Sequence, residues 1–441
     1  MEGNKLYPLF EDIFSSFNKN EAIRCIISFK DEAVRERFKT ELSNDEILCT
    51  INVIPSIVAN LSKSKISKLK SRPEILQIEQ DQVLKQSILD TVEHLNITEY
   101  KTSQIVFTGN GVKIGIIDDG INNDLGSIRG TVFQKLSLKG SAKKGIKNPK
   151  ELTNNQFSHG SLMANLLVNQ FLTQDDVLLG ICPEAQIYDI DISKNYDIDV
   201  SKNSRSYYIS DILQSFDLLV QKKLNLDILL IPLSSVTPSD GNDILSKACN
   251  LFTKKGIAIV CPSGNCKDDV GFIGTPGAAK EVITIGALTK SNRISDFTPQ
   301  ERKINNQIKP ELYFPGESIQ IPLTQYNRIT TTGTSASAAI AAGFVTLLKE
   351  FNSELTPIQI KDILTEASNF YNAHSDTMEK VRTFTLVDLF KILDLYERPV
   401  LPYNYLIKRS IKASIEYVLI LIIIFYMPII FNIIKSYLSK F

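Results

Sequence analysis

The 441-residue sequence predicts an α/β protein with a doubly wound, mostly parallel sheet, preceded by a small ferredoxin-like α/β domain and followed by a C-terminal transmembrane helix. Three observations support this prediction. Beyond about residue 91, continuous apolar runs alternate with helical segments, as is typical of buried parallel strands. The residues before them follow a β-α-β-β-α-β order. Near the end, residues 417–434 carry no charge.

The N-terminal part has the element order of a split βαβ unit. Strand-like runs lie at 24–29, 47–53, 57–61 and 75–78. Apolar residues at helical spacing within 31–42 predict one helix, and Ser62 is placed to cap a second. We therefore predict a folded domain over 21–85, after an N-terminal extension at 1–20. We interpret residues 80–90 as a connector.

The larger domain is predicted over 90–397. Its strands are expected at 112–117, 186–192, 226–233, 257–261 and 282–287. Its helices are expected at 161–171, 209–223, 244–255, 337–351 and 356–368, with an amphipathic helix at 386–396. Sheets of this kind bind ligands at the carboxyl ends of their strands. A linker at 398–414 and a transmembrane helix at 415–436 complete the predicted organisation.

Composition excludes some classes of protein. The chain is 43% hydrophobic and 22% charged with zero net charge, which fits a globular protein and gives no sign of a nucleic-acid partner. Six cysteines without a CxxC pair read as reduced thiols. Six lysines in the loop at 130–158 indicate a solvated surface or, alternatively, a face for an acidic partner.

The N-terminus lacks the cationic and apolar regions of a secretory signal. As a helix, residues 417–434 would be about 27 Å long, close to the thickness of a bilayer core. Lys408, Arg409 and Lys412 precede this segment, which favours a cytoplasmic body. We expect a single-pass C-terminal anchor at the cell membrane, with the body on the cytoplasmic side. The opposite topology remains an alternative.

Four polar residues occur at places where a parallel α/β sheet builds its sites. Asp118 ends an apolar strand, and His159 precedes an apolar helix. Asn265 follows the strand at 257–261, and Ser335 opens an Ala-rich helix. Each has a structural alternative, as a turn residue or a helix cap. The order Asp, His, Ser is nevertheless one of the known chain orders of a catalytic triad.

The motifs around these residues resemble the subtilisin-like serine proteases, the subtilase family. They read IIDDGI, SHGSLMA, PSGN and GTSASAAIAAG. The resemblance implies a serine endopeptidase in which Ser335 is the nucleophile, His159 the general base and Asp118 its partner, with Asn265 in the oxyanion hole. It covers about residues 20–395.

The N-terminal domain resembles the subtilisin propeptide. This implies a zymogen whose own propeptide is its inhibitor and is cut off within about 80–90. A peptide or protein is the implied substrate, and a specific precursor or leader peptide is one expected type.

Several positions depart from the family pattern. Ala336 and Ala339 replace the usual Met and Pro, and Leu162 replaces a second histidine. Pro232 and Ser234 alter the substrate-binding strand and suggest a narrowed cleft. These departures keep open a second hypothesis, a membrane-anchored pseudoprotease or peptide-binding regulator. For calcium the nearest match is Asp124, in a shortened loop; Asp175 and Asp176 lack the familiar spacing, so no cofactor is assigned and calcium stays open.

Overall fold

The computed structural model describes residues 4–86, 107–138, 158–171, 180–193, 207–265, 271–291, 293–323 and 328–374. The predicted helix at 386–396, the linker, the apolar segment and most of the lysine-rich loop lie outside these residues. Within the described ranges, no helix combines the length and apolar character needed to cross a membrane. The transmembrane helix and the membrane location therefore remain predictions.

The N-terminal part forms a four-stranded antiparallel sheet with the order β2-β3-β1-β4. Asp31 and Ser62 cap its two predicted helices by accepting hydrogen bonds from the Val34 and Lys65 amides, at 2.9 and 3.3 Å. Its elements are α1 (Pro8–Phe14), β1 (Ala22–Phe29), α2 (Glu32–Lys39), β2 (Ile47–Ile51), β3 (Ser56–Ser62), α3 (Lys63–Leu69) and β4 (Ile75–Gln80).

Helix α1 lies in the segment predicted as an N-terminal extension, and it packs into the core of this small domain. Phe10 and Phe14 share an apolar cluster with Ile27 of β1 and Phe38 of α2. The clustered rings remove large apolar surfaces from water, and burying a side chain of this size contributes about 1.5–3 kcal/mol. The segment is thus part of the small domain's hydrophobic core.

The larger part contains a seven-stranded sheet with the order β16-β13-β12-β10-β6-β8-β7, in which every neighbouring pair is parallel. This is the predicted α/β architecture. The elements after the small domain are β5 (Val83–Gln86), β6 (Lys113–Asp118), β7 (Val132–Ser137), α4 (His159–Val168), β8 (Gln186–Asp191), β9 (Tyr207–Tyr208), α5 (Ile209–Gln221), β10 (Ile228–Leu230), β11 (Leu233–Ser235), α6 (Ile244–Lys254), β12 (Ala258–Pro262), β13 (Ile283–Leu288), β14 (Arg302–Ile304), β15 (Gln307–Lys309), β16 (Leu312–Pro315), β17 (Ile319–Pro322), β18 (Arg328–Thr331), α7 (Thr334–Phe351) and α8 (Pro357–His374).

The predicted bounds of one strand and one helix of the larger part need correction. The single strand expected at 226–233 is two strands, β10 and β11, because Pro232 lies between them and has no N–H with which to continue a ladder. The helix expected from residue 337 begins earlier, at Thr334.

Residues 80–90 are not simply a connector, because they contain strand β5. β5 lies between β11 and β9 in a separate antiparallel sheet. Its register pairs Gln86 with Leu233, Lys85 with Ser234 and Leu84 with Ser235. The chain leaving the small domain is therefore held against the larger domain by backbone pairing on both sides.

Candidate active site

Asp118 and His159 meet at the carboxyl end of the parallel sheet. Asp118 is the last residue of β6, and His159 is the first residue of α4. The His159 Nδ1 atom contacts the Asp118 Oδ2 atom, and both residues are buried. The other Asp118 oxygen accepts a hydrogen bond from the Asp119 amide at 2.8 Å. The carboxylate thus fixes the orientation of the imidazole ring.

Asp119 holds the backbone that carries His159. Its Oδ1 atom accepts a hydrogen bond from the Gly160 amide at 2.9 Å, and its Oδ2 atom accepts one from the His159 amide at 3.2 Å. These amides belong to the first turn of α4, where helical N–H groups lack partners within the helix. A Cβ on Gly160 would lie 2.8 Å from the Gly120 carbonyl oxygen, so the close approach requires glycine.

The sequence reasoning did not assign a role to Asp119. The signal that could have indicated this role is the second aspartate of the IIDDGI motif, which directly follows the strand.

Opposing effects act on the pKa of His159. Burial lowers it, but the charge and hydrogen bond of Asp118, together with the charge of Asp119, raise it above its usual value. Burial also raises the pKa of Asp118 to about 6, against the lowering effect of His159. The pair is therefore poised to keep a proton on the ring once His159 has gained one.

Ser335 is the second residue of α7 and is fully buried. Its Oγ atom donates a hydrogen bond to the Pro232 carbonyl oxygen at 2.7 Å. Within the described residues, the His159 Nε2 atom has no hydrogen-bond partner. The structure brings Asp118 and His159 into contact but does not form the hydrogen bond between Ser335 and His159. Such bonds often form only when substrate is bound.

Asn265 lies beside the beginning of α7. Its Oδ1 atom accepts hydrogen bonds from the Thr334 amide at 3.0 Å and from the Thr334 hydroxyl at 2.9 Å. The carbonyl end of the amide is thereby engaged, which leaves the Nδ2 end to donate. Because Thr334 precedes Ser335, these bonds tie Asn265 to the serine. An amide donor and a helix N-terminus next to a hydroxyl are suited to stabilise an oxyanion.

The strand β5 is directed towards Ser335. Its last residue, Gln86, pairs with Leu233, the residue after Pro232. Leu84 is fully buried among residues of the larger core. An extended chain thus pairs with a strand on each side, as a bound peptide does in β-strand addition.

No cluster of three or more His, Cys, Asp or Glu side chains suited to a metal occurs among the described residues. Asp124 is exposed, and Asp175 and Asp176 lie outside the described residues. The calcium question of the sequence analysis therefore stays open.

The parallel α/β sheet with Asp118, His159, Asn265 and Ser335 near its carboxyl edge, taken with the family match that follows, places the chain in the class of serine endopeptidases. The sequence profile of the subtilase family matches residues 109–383. The chain belongs to the subtilase family, and the sequence prediction of that family is confirmed.

Known relatives agree with this assignment. The chain is 23% identical over 354 residues to alkaline elastase YaB of Bacillus sp. (strain YaB), covering 77% of this chain and 84% of the relative. It is 23% identical over 357 residues to subtilisin E of Bacillus subtilis, covering 78% and 80%.

Among solved structures, fervidolysin of Fervidobacterium pennivorans, described as a keratinolytic enzyme related to subtilisin, matches with a TM-score of 0.62 at 14% identity. This match covers 84% of this chain and 61% of that one, and it supports the fold.

Proposed function

We propose that this chain is a self-processing serine endopeptidase that uses Ser335, His159, Asp118 and Asn265. The observation that carries the proposal is the buried contact between Asp118 and His159, which leaves the His159 Nε2 atom without a hydrogen-bond partner among the described residues. A general base needs such an open nitrogen, and its partner carboxylate selects the tautomer.

The chemistry is acyl transfer. The Ser335 Oγ atom attacks the peptide carbonyl carbon while its proton passes to the His159 Nε2 atom. The bond to the leaving amine then breaks, and the amine takes this proton. Water repeats the sequence on the acyl-enzyme, releasing the acid and restoring the serine. The Asn265 side chain and the Ser335 amide hold the negative oxygen in both halves.

The small domain acts in this proposal as the inhibitor of the same chain. Its carboxylates accept hydrogen bonds at the first turns of two helices of the larger part. Glu79 accepts from the Ile244 amide of α6 at 3.1 Å, and Asp81 accepts from the Ser210 amide of α5 at 3.0 Å. Arg24 forms an ion pair with Asp81 at 2.7 Å. Burial raises the pKa of both carboxyls, and the coulombic effect of Arg24 and its hydrogen bond oppose this at Asp81, so it is the hydrogen bonds to the helix amides that support a specific dock.

Strand β5 supports self-processing. It lies in the cleft as a peptide product would, and the small domain continues directly into it. We propose that cleavage falls within the predicted window at 80–90 and leaves β5 as the inhibitory end of the small domain.

A second candidate function is a peptide-binding regulator without protease activity. It is favoured by the Ser335 hydroxyl, which donates to Pro232 instead of to His159. The two candidates differ in what Ser335 must do. The protease needs its side chain to rotate from the Pro232 carbonyl towards His159, whereas the regulator does not.

Membrane anchoring through 415–436, a cytoplasmic body, and maturation of a specific precursor or leader peptide complete the proposal. The uncharged segment at 417–434 supports the anchor. Fractionation of cells that express the full chain or a chain ending at residue 414 tests it. Only the full chain is expected in the membrane fraction; equal distributions would contradict anchoring.

The test of the enzymatic proposal is the intact mass of the purified full chain. The wild type is expected to divide within 80–90, whereas Ser335→Ala stays whole. Ser337→Ala is the matched control, from the same buried helix, and is expected to divide like the wild type. A wild-type chain that stays whole and hydrolyses no peptide would reject the enzyme and favour the regulator.

A further inference from the structure

Three segments of the larger part meet around the Ser234 side chain. One is β11, the second is the turn after β12 that carries Gly264 and Asn265, and the third contains Gly274. A Cβ on Gly264 would lie 3.3 Å from the Ser234 Oγ atom. A Cβ on Gly274 would lie 3.0 Å from the same atom. The Ser234 hydroxyl therefore lies between the two glycines; on the Gly274 side it shares this space with the Ser235 hydroxyl and carbonyl oxygens, which would lie 2.3 and 2.7 Å from the same Cβ.

The register of β5 shows which substrate residue comes nearest to these three segments. Successive residues of β5 pair with β11 in descending order, ending with Gln86 opposite Leu233. The position opposite Pro232 comes next, and the Pro232 carbonyl accepts the Ser335 hydroxyl. A peptide in this register brings that next residue to Ser335, between β11 and Asn265. This residue carries the carbonyl group that the serine attacks.

We infer that Ser234 restricts the residue immediately before the scissile bond to a small side chain. Ser234 is 5% exposed, and its hydroxyl donates a long hydrogen bond of 3.4 Å to the Ser235 carbonyl oxygen. Its main effect is thus to fill space. This inference rests on the proposed protease function and adds its substrate class. The sequence agrees, because the residue after Gln86 is a serine, Ser87.

The neighbouring Ser235 has a different role. Its hydroxyl accepts a hydrogen bond from the Thr275 amide at 3.0 Å and donates one to the Thr237 carbonyl at 2.7 Å. These bonds fix the backbone around Gly274. Ser234 is therefore the residue to change, since its replacement removes bulk without breaking this support.

The experiment uses two peptide amides, Val-Leu-Lys-Gln-Ala and Val-Leu-Lys-Gln-Phe, each joined to a fluorogenic amine. They reproduce residues 83–86 and differ in the residue before the scissile bond. The processed wild-type protein is expected to hydrolyse the Ala peptide with a kcat/KM at least about 100-fold higher than that for the Phe peptide, since pockets discriminate side-chain size by about 10- to 200-fold for each methylene. Ser234→Gly is expected to reduce this ratio at least about tenfold, mainly by faster hydrolysis of the Phe peptide.

The control is Ser291→Gly, the same change at an exposed turn, which is expected to leave the ratio unchanged. Equal hydrolysis of the two peptides by the wild type, or an unchanged ratio in Ser234→Gly, would overturn the inference. If neither peptide is hydrolysed, the protease proposal fails. The affinities of the protein for the two free product peptides then measure the size preference of the same pocket. Tighter binding of the Ala product, with the preference lost in Ser234→Gly, supports the inference; equal binding overturns it.

Discussion

Two buried clusters of charged groups differ in whether all of their nitrogen atoms have partners. The first joins Asp118 and His159 at the carboxyl edge of the sheet. The second joins Glu311 with Lys309 and Lys361, through ion pairs of 2.6 and 2.5 Å. Lys309 also donates to the Val282 carbonyl and the Thr284 hydroxyl, and Lys361 also donates to three oxygens.

The lysine cluster is arranged for stability, whereas the cluster that contains His159 is arranged for reaction. The ammonium groups of the lysine cluster direct their donors at oxygens, and the Glu311 Oε1 atom, which accepts no hydrogen bond within the described part of the chain, faces both ammonium groups in ion pairs. In the first cluster, the His159 Nε2 atom has no partner among the described residues. An unsatisfied buried nitrogen is costly, and on a ring whose other nitrogen is held by Asp118 it is placed to accept a proton.

The pKa values of the two clusters are shifted in different directions. Burial lowers the pKa of Lys309 to about 7, although Glu311 acts to raise it. Burial alone would raise the pKa of Glu311, but the two ammonium groups hold it below its usual range. In the first cluster the His159 pKa is raised instead, because the nearby charges are negative.

The largest effect is expected for His159→Ala. In subtilisin, loss of the catalytic histidine lowers kcat by about 2 × 10⁶-fold, and we expect a loss of that order here. Peptide hydrolysis measures it. Because the residues act as a unit, adding Ser335→Ala should lower kcat little further. Independent, multiplying losses would contradict a shared mechanism.

Glu311→Gln should affect stability instead. It leaves Lys309 and Lys361 without their counter-charge in the interior, and breaking a buried pair in this way costs about 3–5 kcal/mol. Chemical denaturation of the Ser335→Ala chain measures the free energy of unfolding. The exposed Glu301→Gln is the control, with an expected change within about 0.5 kcal/mol. A loss no larger than this in Glu311→Gln would show that the cluster is not stabilising.

Asn265→Ala should lower kcat by about 10²–10³-fold, the effect of removing one oxyanion donor in subtilisin. Its KM should change little, since the donor acts on charge that develops in the transition state. The exposed Asn242→Ala serves as the matched control. A rise in KM at constant kcat would assign Asn265 to substrate binding.

The smallest effect is expected for Asp119→Asn. The negative charge of Asp119 raises the pKa of His159, so its removal should lower that pKa. Since the base acts in its neutral form, the acidic limb of the kcat/KM profile should move to lower pH. Asp124→Asn, exposed on the same loop, should leave the limb in place. An unmoved limb in Asp119→Asn would exclude an electrostatic role.

The parallel sheet could be predicted because apolar strands carry strong local signals, and the four candidate site residues stay a prediction from short motifs, of which the structure brings Asp118 and His159 into contact. Strand β5 was missed because a peptide held through its backbone needs no alternation of side chains. The Lys309 cluster was missed because its members come from β15, α8 and the residue before β16, and their meeting depends on tertiary packing. The orientation of the Ser335 hydroxyl towards Pro232 is likewise a property of the folded cleft.

The most direct test of the central claim is covalent labelling of Ser335 by a fluorophosphonate, after an added protease has cut the connection to the small domain in the wild type and in His159→Ala alike. The reagent reacts with a serine that an adjacent base activates. We expect one label on the peptide that contains Ser335, and none in His159→Ala. A folded, released wild-type protein that takes up no label would contradict the account and indicate a peptide-binding protein.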